Sequence, residues 1–428
     1  MRGIPASAGP SSDPSVAVQA KHSPSRNTSL HTIKVPAGLV SALGVTQIIG
    51  YGTLYYSFSI LAPGMANDLG ISLERVFAIF SVSLFIGGLS APFIGRHMDK
   101  IGAATVMTLG SALAAFTLTL CAWSPSVSLF ALAIVLLEVS SGMVQYQAAF
   151  ATLVESEPRT ASRSITYLTL IGGFASTIFW PIAATLTGYL SWREIYLVFA
   201  VLNLLVCMPL HYWIMRAGRI GSKTDETRTR EVVVGALEPQ ARRRGMLLVS
   251  FAFSLSGFTL AAILAHMVPM LGAIGLGSAA VVIGSLFGPA QVLSRLINMV
   301  FGKSLSPPAL AIVSAAVMVV GAVILGVSGD WLPGAVAFAI CLGLGSGINS
   351  IAQGSLPLYL FGSAGYGAIT GKMAAARLAT GAAAPFAFAA SMDQFGIAVS
   401  LFLIAALGAL GILAFAAVAS SVRGARVA

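Results

Sequence analysis

Apolar residues run through this chain in long unbroken blocks, not in alternation with polar ones. Blocks near or above the roughly 20 residues a helix needs to cross a bilayer fall at about 37–63, 74–95, 103–122, 126–150, 164–186 and 192–213. A polar stretch from Arg216 to Arg244 interrupts the series, and six more blocks follow at about 246–271, 278–300, 309–328, 331–356, 368–390 and 397–418. Continuous runs of this length predict helices, because a membrane-spanning barrel would show alternating segments of about 10 residues. The pattern predicts an all-α membrane protein of about twelve transmembrane helices. They divide into a six-helix bundle over 37–213, a central loop over 214–245 and a second six-helix bundle over 246–418, with tails at 1–36 and 419–428.

Composition sharpens this picture. Only 9% of the 428 residues are charged and 57% are apolar, against about 25% charged in a soluble domain. Most of the outer surface must therefore meet lipid. The 45 glycines suit helices that pack closely within a bilayer. The net charge of +10 does not mark a nucleic-acid partner, because the basic residues sit in short loops between apolar blocks. If the N-terminus is cytoplasmic, only Arg75 and Arg193 of the 24 Lys and Arg fall on the far side. The positive-inside rule then places both termini in the cytoplasm of a cell that carries this protein in its inner membrane. The Ser- and Pro-rich residues 1–36 read as a flexible cytoplasmic tail with no signal-peptide core. Cys121, Cys207 and Cys341 lie far apart in apolar blocks and read as packing residues.

The two halves echo each other. Arg96 and Asp99 after the second block have the spacing of Arg295 and Asn298 near the end of the eighth. Gly173 and Pro181 in the fifth block are matched by Gly381 and Pro385 in the eleventh. Repetition at a half-chain period implies two bundles related by pseudo-symmetry. Between the second and third blocks stands Gly95-Arg96-His97-Met98-Asp99-Lys100-Ile101-Gly102. With the span count and the central basic loop, this segment resembles the loop signature of the major facilitator superfamily of secondary transporters. Gly95, Asp99, Lys100 and Gly102 match that signature, and Ala103 and Ala104 replace its closing basic pair. The resemblance covers about residues 37–418 and implies a gate at this loop built on Asp99, with Arg96 and Lys100 as its basic groups. Gln291-Val292-Leu293-Ser294-Arg295 is similar to an Asp-x-x-x-Arg of monocarboxylate transporters, with Gln in place of Asp, and Arg377 is similar to a basic residue of oxalate-type exchangers. In those relatives the eighth-helix arginine meets a substrate carboxylate.

The resemblance also implies that helices one, four, seven and ten line the cavity, and polar stripes run along three of them. Gln47, Tyr51 and Tyr55 are spaced by four, so they share one helical face. Glu138, Ser141 and Gln145 follow the spacing i, i+3, i+7, as do Ser346, Asn349 and Gln353. Polar groups are costly against lipid, so such stripes should face water or each other. Glu138 lies within an apolar span, where a charge costs at least about 2.5–3.5 kcal/mol, and reads as a proton carrier or substrate ligand, or as a neutral packed carboxyl. Arg295 and Arg377 read as a bidentate clamp for an anion, or as residues bracing the gate. No phosphate-binding loop and no metal-ligand cluster is present, so no ATP drive, cofactor, metal site or enzyme activity is expected. The sequence thus predicts a monomeric secondary transporter working by alternating access on a small organic anion, monocarboxylate-like, with protons as a coupling ion. An efflux pump for a drug or metalloid, and a non-transporting receptor or scaffold, are the alternatives.

Overall fold

The computed structural model describes residues 36–224, 232–302 and 305–424. The expected tail over 1–35, the middle of the central loop, Lys303 and the last four residues lie outside the described residues. The described chain is almost wholly helical. Ten apolar helices run in order: α1 Ala37–Leu69, α2 Leu73–Ile101, α3 Ala103–Ala122, α4 Val127–Ser156, α5 Ala161–Leu186, α6 Trp192–Gly218, α7 Pro239–Leu276, α8 Ala279–Phe301, α9 Pro307–Ser328 and α10 Leu332–Phe361. An eleventh stretch, Tyr366–Gly424, breaks at Gly396, whose φ of 80° and ψ of 167° reverse the chain. We therefore treat it as α11 (366–395) and α12 (397–424), which completes twelve spans. Each is long and apolar enough to cross a membrane, and helix lets backbone groups pair internally, as a lipid environment requires.

The structure differs from the pattern at the centre of the chain. The polar stretch from Arg216 is not loop throughout: helix continues to Thr224 and resumes at Pro239. Polar composition marks where lipid should end, and a helix can continue past that point into water. Between them, residues 233–237 run back along the end of α10. Val233 O accepts from Ser363 N at 2.9 Å, and the N–H groups of Ala236 and Leu237 donate to Tyr359 O and Leu360 O at 2.9 and 3.0 Å.

Four apolar cores form, two built mainly from α1–α6, one of which also takes in Leu358 of α10 and Tyr366 of α11, and two from the second half of the chain. One core of each half lies toward the end of the molecule that carries Asp99, and the other toward the opposite end. Packing between the halves is concentrated at the Asp99 end. There α2 packs on α11, the 146–156 segment of α4 packs on α10 and α11, and the start of α5 packs on α8 and α10. At the other end, among the described residues, 58–69 of α1 and 175–186 of α5 make their main contacts within their own half. We refer to the two ends as the closed and the open end.

The closed end depends on missing side chains. A Cβ on Gly95 of α2 would stand 2.1 Å from Gly367 O of α11, and one on Gly371 would stand 2.5 Å from Ala91 O. Backbones this close admit only glycine, the small-residue packing that membrane helices use in place of a hydrophobic drive. Gly95→Ala should push α2 off α11 and lower the apparent Tm by the equivalent of about 1–3 kcal/mol, the usual cost of overpacking. Gly50→Ala, where a Cβ would meet nothing within 4 Å, should leave thermal unfolding in detergent essentially unchanged.

Candidate functional site

Between the halves lies a cavity of about 320 Å³. Its walls come from α1 (Tyr51, Tyr55), α2 (Leu84, Gly87, Gly88), α4 (Glu138, Ser141, Gln145, Gln147) and α11 (Thr370, Met373, Arg377). Phe150, Phe253 and Tyr366, all buried, floor it toward the closed end, while Tyr55 at its rim is 41% exposed. Tyr366 is fixed there by donating to Gly354 O at 2.7 Å.

Local structure aims the polar groups. Residues 52–56 of α1 form a π-helical turn, with the Ser57 hydroxyl bonded to Gly52 O. Such bulges re-aim side chains within a helix. Here the bulge gathers Tyr51, Tyr55 and Tyr56, with ring centroids 6.1 Å apart for Tyr51–Tyr56 and 5.3 Å for Tyr55–Tyr56. Glu138 is 6% exposed, and its Oε1 has no hydrogen-bond partner. Gly87 of α2 gives it room, since a Cβ there would lie 3.0 Å from Glu138 Cβ. Across the cavity the Arg377 stem crosses Gly257 of α7, where a Cβ would come within 2.7 Å of its Cγ. Arg377 lies within electrostatic range of Tyr51 and Tyr55. It has no hydrogen bond or ion pair among the described residues. The site therefore presents an unpaired carboxyl and an unpaired guanidinium from opposite halves of the chain, together with Gln145 and Gln147, whose side-chain nitrogens are also unpartnered.

Six of the nine sequence-predicted binding residues meet in this cavity: Tyr51, Tyr55, Glu138, Gln145, Gln353 and Arg377. The other three stand outside its lining. Gln47 is buried and donates through Nε2 to Val144 O at 2.8 Å. Asn349 is buried with Oδ1 unpartnered. Arg295, 3% exposed, bonds Ser350 Oγ at 3.2 Å and reaches α5, where a Cβ on Gly173 would collide with its Nη1. Tyr146 and Gln147 line the cavity without having been singled out in the sequence. The polar triplet Gln145-Tyr146-Gln147 inside an apolar span was the signal for them. Tyr146 packs between Tyr51, at 4.8 Å, and Phe150, at 5.2 Å.

The predicted gate loop sits where the halves touch. Asp99 Oδ1 accepts from Gly367 N at 2.8 Å and Oδ2 from Ala368 N at 2.7 Å. Its carboxylate thus caps the N-terminus of α11, where unpaired N–H groups and the helix dipole favour a negative charge. Arg96 and Lys100 are exposed beside it. Gly102 turns the chain into α3 with φ +91°, a conformation side chains disfavour. Glu155 takes the place of a capping residue there, accepting from Ala103 N at 2.8 Å. The pseudo-symmetric Asn298 has no partner for its Oδ1, so the Asp99 contact has no twin on the other side.

A membrane-spanning bundle of two halves, packed together at one end and holding a polar cavity between them, has the form of a solute transporter. The sequence matches the family model of the Major Facilitator Superfamily over residues 43–385, and the chain belongs to that superfamily. No curated protein matches the chain in sequence. Solved structures share its fold. The human organic anion transporter MFSD10 (TETRAN) aligns with a TM-score of 0.68 at 14% identity, over 89% of this chain and 100% of that one. FucP in its outward conformation aligns at 0.67 and 12% identity, over 89% and 98%. The proton:xylose symporter XylE, bound to 6-bromo-6-deoxy-D-glucose, aligns at 0.65 and 12% identity, over 89% and 95%.

Removing the Asp99 carboxylate should loosen the closed end. In a background lacking the native cysteines, Thr370→Cys on the α11 wall of the cavity should react slowly with a water-soluble thiol reagent applied at the closed end. Adding Asp99→Ala should speed that reaction severalfold, since each lost bond to the carboxylate is worth about 1.5–3 kcal/mol.

Proposed function

We propose that this protein moves a small organic anion across the membrane by alternating access, with a proton carried on Glu138. One observation supports this reading above others: a guanidinium without a carboxylate partner faces a polar cavity at the junction of the halves. Arg377 is partly exposed within a membrane-spanning segment, where a charge without a partner is costly, so it is best explained by a partner that comes and goes. An anion supplies that partner, and a neutral sugar does not. The Glu138 carboxyl on the opposite wall lacks any fixed cation. A carboxyl held within a span at the cavity, with no fixed cation beside it, is suited to carry the proton of the same cycle.

The closed end carries the loops that the positive-inside rule assigns to the cytoplasm. The arrangement is then an outward-facing one, with the cavity reached from outside. Arg193, an exception in the Lys and Arg count, fits this orientation. It is held at the open end by Asp68 Oδ2 at 2.7 Å and by the Ala122 and Ser124 carbonyls at 2.7 and 2.8 Å, so its charge serves the local structure. Each chain holds a complete cavity, which suits a monomeric transporter.

Uptake into proteoliposomes separates the two roles. Arg377→Ala should abolish transport of every carboxylate the wild type carries, and unchanged uptake of all of them would discard the anion reading. Glu138→Gln, which keeps shape but cannot release a proton, should retain exchange of labelled for unlabelled substrate and lose accumulation driven by a proton gradient. Accumulation that survives in Glu138→Gln would assign the proton elsewhere.

A further inference from the structure

The fourth helix does not cross in one piece. Gln145 adopts an extended conformation, φ −79° and ψ −168°, between the helical segments Val127–Val144 and Tyr146–Ser156. Neither proline nor glycine occupies position 145. A break within a span leaves backbone groups without helical partners, which hydrocarbon penalises by several kcal/mol each, so it is tolerated only where protein or a cavity covers it. Here the two sides of the break are treated differently. On the acceptor side, the Val144 carbonyl is taken by Gln47 Nε2 at 2.8 Å. On the donor side, the first N–H groups of the 146–156 segment have no backbone acceptor. Ala148 and Ala149 are the first residues there to bond back, both to Gln145 O, at 3.0 and 3.1 Å.

That donor side faces the cavity. Residues 145, 146 and 147 all line it, and the Tyr51 hydroxyl, itself in range of Arg377, lies against the Tyr146 backbone N–H. The Nε2 atoms of Gln145 and Gln147 are buried without partners at the same place. Glu138, more than nine-tenths buried and also unpartnered at Oε1, lies two turns away on the same wall. The wall that the N-terminal half presents contains no Lys, Arg or His. Its anion-attracting element is therefore the segment's N-terminus, which carries roughly half a positive charge together with free donors.

We propose that the N-terminus of the 146–156 segment is the carboxylate seat on the N-terminal half, where the Gln147 N–H and the Gln145 and Gln147 amides bind the substrate anion that Arg377 meets from the C-terminal half. This rests on the anion reading above and adds to it the atoms on the second wall. Gln47 is then a positioning residue: by holding Val144 O it keeps the helix broken and the donors free. A carboxylate shared between α4 and α11 bonds the two halves to each other through the ligand, and so draws the open end closed once the site is filled.

The test uses the full chain in detergent, with acetate, lactate and benzoate set against acetamide, lactamide and benzamide as neutral counterparts, read by thermal shift. The wild type should bind at least one carboxylate more tightly than its amide. Gln147→Glu places a fixed negative charge at the seat in a position that suits a helix's first turn, so the fold should hold. It should cut the carboxylate-to-amide affinity ratio about tenfold. Gln145→Ala, a second variant that adds no charge, should lower the same ratio by less. A ratio unchanged in both variants, while Arg377→Ala abolishes it, would overturn the seat and leave the anion reading standing. A wild type that prefers no carboxylate over its amide would overturn both.

Discussion

Two helices from different halves of the chain, α2 and α11, run so close that neither Gly95 nor Gly367 has space for a methyl group, and at that crossing Asp99 receives two N–H groups of the α11 N-terminus. This contact lies at the end of the molecule where the halves pack together. It costs little to keep, because the carboxylate satisfies donors that any helix start leaves free. It can also be undone without leaving a group stranded, since at the end of a span both partners can turn to water. A gate needs that balance, and a buried salt bridge would not supply it: separating two buried charges leaves each one uncompensated.

The cavity obeys the opposite rule. Its polar groups lie where water is scarce, and the chain leaves several of them without partners: the Glu138 carboxyl, the Arg377 guanidinium and the Gln145 and Gln147 amides. Many hydroxyls elsewhere in the spans instead bond to a carbonyl three or four residues back, as those of Thr53, Ser83, Thr108 and Ser140 do. Unsatisfied groups at the junction of two moving bodies give a ligand its differential affinity. A solute that pairs with both walls stabilises the state in which the walls are near, and alternating access needs an energy difference of that kind.

The architecture was legible because the bilayer imposes one length on every span and tolerates few alternatives to helix. Even the turn between α11 and α12 showed, as the gap between the blocks at 368–390 and 397–418, and it proves to be a reversal at the single residue Gly396. Residue type also pointed to Glu138, Arg377 and the tyrosines of α1, since polar side chains in an apolar span have few other uses. Backbone geometry was not legible. The π-helical turn at 52–56 and the break at Gln145 carry no proline, so no residue in the sequence marks them. Asp99 could be identified by motif, but its partners are main-chain N–H groups that no side chain advertises. The spacing of Arg295 likewise did not show its surroundings: it stands outside the cavity lining, bonded to Ser350 and close to Gly173 of α5, with Nη1 unpartnered.

The central claim is that the halves tilt about the cavity, with the Asp99 contact holding one end shut. Spin labels at Asn67 and Ala273, on the open ends of α1 and α7, and at Lys100 and Ala364, beside the closed contact, report the two ends separately in one bilayer preparation. The account predicts a long first distance and a short second one without substrate, and changes of opposite sign when a transported carboxylate and protons are supplied together. Distances that stay fixed under turnover, or that lengthen and shorten together, would contradict it.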